Sequence, residues 1–338
     1  VRRVYLDQNK WIDLARAATG RAEGGRFVEA LAAARDAVAA GTAVFPLDLY
    51  RYWETSKRGR DRSRNDVVDV MRELSRQQTM ALPLGILDME LDAALQRRFG
   101  RPEFVRQQTV FGTGLRHITG DQMNWPKPDY SALPDGGASV PDDRRTQLEL
   151  ALIEVIEEHL HRAGPDTFRA AGFDLAVADH GKRFVEFENK VAASIAEHGL
   201  TGGAVDQAVR GADLGDIRPA AASALDRIGL TWEEFIERAT VADLMRFMDD
   251  LPTRYVTNVM RSAKHRQTEQ RWEPNDFIDV VALPVAAVYC DVVVTERQWV
   301  HRLRQGKVDQ RYDTVLLTDT ADLVKVFATR ADPAQASV

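Results

Sequence analysis

An α/β fold, with a mostly parallel sheet flanked by helices, is predicted by two features of the sequence. Short apolar, β-branched runs alternate with helical periodicity over about the first hundred residues, and the same alternation resumes over the last seventy or so. Strands of this kind pair in parallel only through crossover helices, which cover the faces of the sheet. A third feature sets the domain plan. The stretch 99–265 has few strand signals, so it reads as a mainly helical insertion between a first core part, 1–98, and a second, 266–330.

The elements follow in chain order. Val4, Tyr5 and Leu6 form a buried strand that ends at Asp7, and residues 9–18 read as a helix with Trp11, Ile12, Leu14 and Ala15 on one side. An alanine-rich helix over 26–40 stops at Gly41, and Thr42 to Leu47 is a second strand. Asp48 caps a helix carrying Leu49, Tyr52 and Trp53. A further helix places Val67, Val70, Met71 and Leu74 on one face, followed by a short strand at 79–84 and a helix at 86–98. Within the insertion, the prolines and paired glycines of 121–144 mark a loop, and 146–162, 179–198 and 231–250 are helical. The second core part opens with a helix over 275–289, interrupted or kinked at Pro284. Val292 to Val294 and Val315 to Leu317 are strands, 297–305 and 320–328 are helices, and 331–338 is a loose tail.

Composition bounds the function. The chain has 338 residues, 44% hydrophobic and 28% charged, which excludes a disordered or fibrous protein. Its single cysteine, Cys290, excludes a disulfide scaffold and reads as a small buried hydrophobe. No apolar run approaches the ~20 residues of a membrane span, and the chain opens on a strand rather than a signal peptide, so a cytoplasmic protein with no membrane partner is expected. A net charge of −6 means that any nucleic-acid surface must be local. No Walker loop or dinucleotide-binding glycine motif occurs, and the histidines lack zinc spacing.

The acids are placed suggestively. In open α/β sheets, ligands bind beyond the carboxyl ends of the strands. Asp7, the Thr295-Glu296 pair and Asp319 follow strands, while Glu54 lies early in the helix after the second strand. Asp276 and Asp279, three apart, share a helix face. Carboxylates gathered at one edge repel unless a cation holds them, and the hard ion suited to such oxygens is Mg2+ or Mn2+. Each acid also has a structural reading. Asp7 and Asp276 serve as helix caps, Glu54 pairs with Arg51 or Arg58, and Asp291 is a turn residue. Asp279, set among Phe277, Ile278, Val280 and Val281, needs a partner or a metal.

The segments YLDQN at 5–9, FPLDLYRYWET at 45–55 and DFIDVVALPVAAVYCDVVVTERQW at 276–299 resemble the motifs of PIN-like nucleases. The resemblance covers the two ends of the chain and not the insertion. It implies a PIN-like fold and a metal-dependent endoribonuclease that hydrolyses phosphodiester bonds, in a family that includes toxins of toxin–antitoxin pairs, RNA-processing factors and phage-defence effectors. Asp7 and Glu54 match the first two acidic positions. Asp279 best matches the third, with Asp276 the competing choice. Glu296 stands at the fourth, where an aspartate is common, and Asp291 is a further candidate. Thr295 belongs to the same turn, and Asn9 either orients Asp7 or begins the helix.

Two basic clusters flank these motifs. Arg51, Lys57, Arg58, Arg60, Arg62 and Arg64 surround Glu54, and Arg261, Lys264, His265, Arg266 and Arg271 precede Asp276. Together they are expected to form the floor of one groove that grips phosphates, with the insertion as its wall or lid. The expected partners are RNA and an antitoxin or defence-system protein; the sequence sets no oligomeric state. The competing reading is a catalytically inactive PIN-like module that binds nucleic acid or protein. A haloacid-dehalogenase-type phosphatase is disfavoured because Asn9 stands where its second aspartate is required.

Overall fold

A computed structural model of the chain describes residues 1–100, 109–120, 125–170, 177–267 and 269–328. The predicted tail, 331–338, and residues 121–124 of the predicted loop lie outside the described residues. The frame is a four-stranded parallel sheet built from β1 (Arg2–Leu6), β2 (Ala43–Val44), β5 (Val292–Val294) and β6 (Val315–Leu317), in the order β2-β1-β5-β6. Val4, Tyr5 and Leu6 lie opposite Val292, Val293 and Val294, and the latter lie opposite Val315, Leu316 and Leu317. Strands from the two ends of the chain are therefore hydrogen-bonded neighbours, and their carboxyl ends point the same way.

The alternation along these strands separates two cores. Val4, Leu6, Val292 and Val294 face one side, where helices Gln8–Ala18, Val28–Ala39 and Asp61–Ser75 contribute Trp11, Leu14, Leu31, Val67 and Met71. Tyr5, Val293 and Leu316 face the other side, against Leu283 and Ala286 of helix Asp276–Tyr289 and Trp299 and Leu303 of helix Arg297–Gln305. The central segments Val4–Leu6 and Val292–Val294 are buried on both faces, as central parallel strands are.

Several expectations change. The third strand is β3 (Gln78–Met80), and it does not extend the parallel sheet. It pairs antiparallel with β4 (Phe111–Thr113), inside the stretch read as helical, and touches the main sheet through the Leu47–Thr79 bridge. Arg76 and Gln77 at φ 48° and 62° turn the chain sharply before β3, and Pro83 opens the next helix after it. The span 231–250 is two helices, Trp232–Glu237 and Val241–Asp249. Thr231 with Glu234 and Thr240 with Asp243 each form a capping box that starts a new helix. Helix Asp276–Tyr289 continues through Pro284 without interruption.

Helix Pro252–His265 is an integral layer rather than an excursion. Val256 and Met260 are fully buried in the second core, beside Leu283 and Trp299. Its polar side faces the insertion through a buried ionic network. Arg261 and His265 pair with Glu188, each at 2.7 Å, while Arg254 and Asn258 bond Asp213. Unpaired, such charges would be costly at this depth.

Candidate site at the carboxyl edge of the sheet

Asp7 follows β1 directly and caps the first helix, accepting the Gln8 backbone N–H at 2.7 Å through Oδ1. Capping does not exhaust it. Oδ1 also accepts Arg51 Nη1 at 2.5 Å, and Oδ2 accepts the Thr295 hydroxyl at 3.1 Å. Thr295 directly follows β5, so a hydroxyl just beyond the neighbouring strand fixes the carboxylate. Asp48 caps the helix Leu49–Ser56 through the Arg51 N–H at 2.8 Å, and its Oδ2 accepts the Tyr5 hydroxyl at 2.8 Å.

The centre of the site is Arg51, which is only 1% exposed. Spacing along the short helix brings Asp48 and Glu54 to it from three residues before and after, at 3.6 Å and 2.8 Å, while Asp7 arrives from β1. Burial opposes the guanidinium charge, yet Tyr5, Glu54, Asp48 and Asp7 outweigh it and hold the Arg51 pKa well above its ordinary value. Burial raises the Glu54 pKa, Arg51 draws it down and Asp7 pushes it up again. Glu54 Oε2 is buried outside hydrogen-bond geometry although Arg51 lies within ion-pair distance.

Asp279 is the most perturbed acid of the site. Burial, then the charge of Asp7, pushes its carboxyl up from 3.8 to about 8; Trp299 and Arg51 pull the other way, and Glu296 adds to the rise. Glu296, which precedes helix Arg297–Gln305, accepts Asn9 Nδ2 at 3.0 Å and Gln298 Nε2 at 3.0 Å. Asp7, Glu54, Asp279 and Glu296 thus sense one another at one edge. Among the described residues, no three His, Cys, Asp or Glu side chains converge on a common point as metal ligands do; Asp7, Asp48 and Glu54 converge on Arg51.

Other candidates lie elsewhere or do other work. Asp276 is held by Lys264 Nζ at 2.7 Å and by the Glu273 N–H at 2.6 Å, a structural pair beneath Trp272. Asp291 precedes β5 and accepts the Arg3 N–H at 2.6 Å, which puts it at the opposite end of the sheet from Asp7. Asn9 orients Glu296 rather than Asp7. Arg51 is an internal counterion and not a phosphate ligand, because the acids around it bury it. Lys264 is buried for the same reason, and Arg266 pairs with Asp206. With Arg261 and His265 also buried, the second basic cluster is not the floor of a groove.

The first cluster keeps a surface. Arg60 and Arg62 are exposed, Lys57 lies over the Trp53 ring at 3.2 Å, and Arg58 bonds Ser63. Burial and then the charges of Arg16 and Arg21 lower the Arg58 pKa, and those two arginines pair with Asp13 and Asp66. Asp48 caps its helix as the sequence predicts, but its bond to the Tyr5 hydroxyl and the bond of Gln8 to Thr55 were not legible there. The Glu54–Arg51 pairing read from the sequence is present, and Asp48, three residues before Arg51, was the available sign of a second partner. A scan of protein-family models and searches of curated proteins and solved structures find no match to this chain.

Proposed function

We propose that the chain is a PIN-like, divalent-metal-dependent endoribonuclease acting as a toxin or phage-defence effector. The observation that carries this reading is the placement of Asp7, Glu54, Asp279 and Glu296 beyond β1 and β5, where burial and then the charge of Asp7 push Asp279 up to about 8. The donor chemistry suits a hard divalent ion, since the acids offer carboxylate oxygens and Glu54 Oε2 lacks a well-formed hydrogen bond; the acids turn toward the Arg51 guanidinium, so metal binding requires Asp7 and Glu54 to turn from Arg51 to the ion. Asp7, Glu54, Asp279 and Glu296 would hold Mg2+ or Mn2+. When bound, the ion supplies a hydroxide at neutral pH and steadies charge on the scissile phosphate.

The chain's own residues have separate tasks. Thr295 and the Gln8 N–H fix Asp7, Asn9 fixes Glu296, and Gln8 Nε2 donates to Thr55 Oγ1 at 3.0 Å to lock the two helices together. Lys57, Arg58 and Arg60 stand beside Glu54 to position the RNA backbone. The choice of RNA and of a toxin or defence role rests on the motif resemblance alone.

One observation favours a second reading, an inactive binding module: the Arg51 guanidinium already pairs with Asp7 and Glu54. Calorimetric titration with Mn2+ separates the two. Saturable binding that Asp7→Asn removes supports the nuclease; an absence of saturable binding supports the inactive module.

A further inference from the structure

Helix Arg297–Gln305 has the acid site at its start and a second cavity near its end. This cavity, of about 580 Å³, lies between helices Pro252–His265 and Arg297–Gln305, and Asn258, Ser262, Arg266, Gln267, Arg302 and Gln305 are among its walls. Its size falls in the range of small-molecule sites. Its polar groups are incompletely satisfied. Arg302 is 2% exposed and makes no ion pair among the described residues. Among the described residues it donates only to amide oxygens, Gln298 Oε1 at 3.1 Å, Gln267 Oε1 at 3.2 Å and Gln270 Oε1, and its Nε has no partner there. Burial lowers its pKa, while the charge of Asp276, itself held by Lys264, pulls it the other way.

Two neighbours repeat the pattern. Ser262 Oγ, on a residue 2% exposed, has no partner among the described residues. Asn258 is fully buried, and its Nδ2 donates to the Asp213 carboxylate at 2.8 Å. A carboxylate only accepts, so that bond fixes the amide orientation and leaves Oδ1 as an unpaired acceptor in the same wall. A natural interior leaves few such groups unpaired, and three line one cavity here.

We propose that this cavity binds a small phosphorylated metabolite, a sugar phosphate or a nucleoside monophosphate. Arg302 and Ser262 take the phosphate, and Asn258 Oδ1 accepts a hydroxyl of the ligand. A guanidinium bonded only to neutral amides calls for an anion, and the unpaired acceptor beside it calls for a donor; inorganic phosphate is too small to reach both from one position, and free sugars lack the anion. The neighbouring Arg266 is already neutralised by Asp206, and Arg210 by Asp249, which leaves Arg302 as the anion anchor. Tyr255 closes the rim by donating to the Gly306 carbonyl at 3.3 Å.

The site is independent of the acid cluster, so its test needs no cleavage assay. Ribose 5-phosphate, adenosine 5′-monophosphate, inorganic phosphate and ribose are titrated calorimetrically into the full chain in the presence of chelator. One saturable site per chain is expected for a phosphorylated probe, with inorganic phosphate weaker and ribose silent. Arg302→Gln should weaken that binding about tenfold or more, the loss typical of a hydrogen bond to a charged group. Ser262→Ala removes only an unpaired hydroxyl, so it keeps the fold and should still weaken binding measurably. No saturable binding by either phosphorylated probe, or binding unchanged in the Ser262→Ala protein, would overturn the assignment.

Discussion

Replacing Asp279 by asparagine should stabilise the metal-free protein, and by more as the pH rises. The carboxyl titrates at 3.8 in an unfolded chain and near 8 in the folded one, because burial and then Asp7 disfavour its charge. Between those values the unfolded state holds fewer protons than the folded state. The contribution of Asp279 to stability therefore falls from about pH 4 to about pH 8 and is level beyond. Each tenfold change in a protonation equilibrium is worth about 1.4 kcal/mol, so the penalty is at most about 4 kcal/mol at pH 7 and about 2 kcal/mol at pH 5, reduced by whatever screening water gives the partly exposed carboxylate. Asparagine resembles the protonated acid in shape and carries no charge at any pH. Thermal unfolding in chelator at pH 5, 6, 7 and 8 reads the difference directly. The gain should grow with pH and flatten near 8. A variant less stable than the parent at pH 8, or a gain independent of pH, would refute the reasoning.

Further expectations concern the groups around Asp279. Asp7→Asn should abolish cleavage while the protein stays folded, since the amide oxygen can still accept one of the bonds that Gln8 N–H and the Thr295 hydroxyl donate; circular dichroism beside an RNA cleavage assay checks both. Arg51→Met leaves Asp7, Asp48 and Glu54 without their buried counterion, so denaturant unfolding should show a loss of about 3–5 kcal/mol, partly recovered by Mn2+. Lys264→Met strands Asp276 and should lower stability by a similar amount, yet leave Mn2+ affinity unchanged in calorimetry. Arg58→Ala with Arg60→Ala should weaken RNA binding for all sequences. The slope of log affinity against log salt should fall by up to about 1.4, the value for two phosphate contacts on a single strand.

The order of strands and helices at both ends was legible because strands buried on two faces read as short apolar runs, as in Val4 to Leu6 and Val292 to Val294. The placement of Asp7, Glu54 and Glu296 at one edge followed from the same runs. What escaped the sequence was pairing. Lys264 and Arg261 look like a basic surface until the helix carrying them turns inward and Asp276 and Glu188 meet them from other segments of the chain. Residues 79–84 read as one more parallel strand, but the strand is Gln78–Met80 and its partner Phe111–Thr113 lies in a stretch with weak strand signal. Asp291 and Glu296 are five residues apart in one motif, and only the three-residue strand between them puts them at opposite ends of the sheet.

The most direct test of the nuclease assignment is cleavage of a single-stranded RNA by the purified chain in Mn2+ or Mg2+, with and without chelator, beside the Asp279→Asn variant. The assignment predicts endonucleolytic products that require the metal and disappear both with chelator and in the variant. Intact RNA under every metal condition, or cleavage that persists in chelator or in the variant, would contradict it.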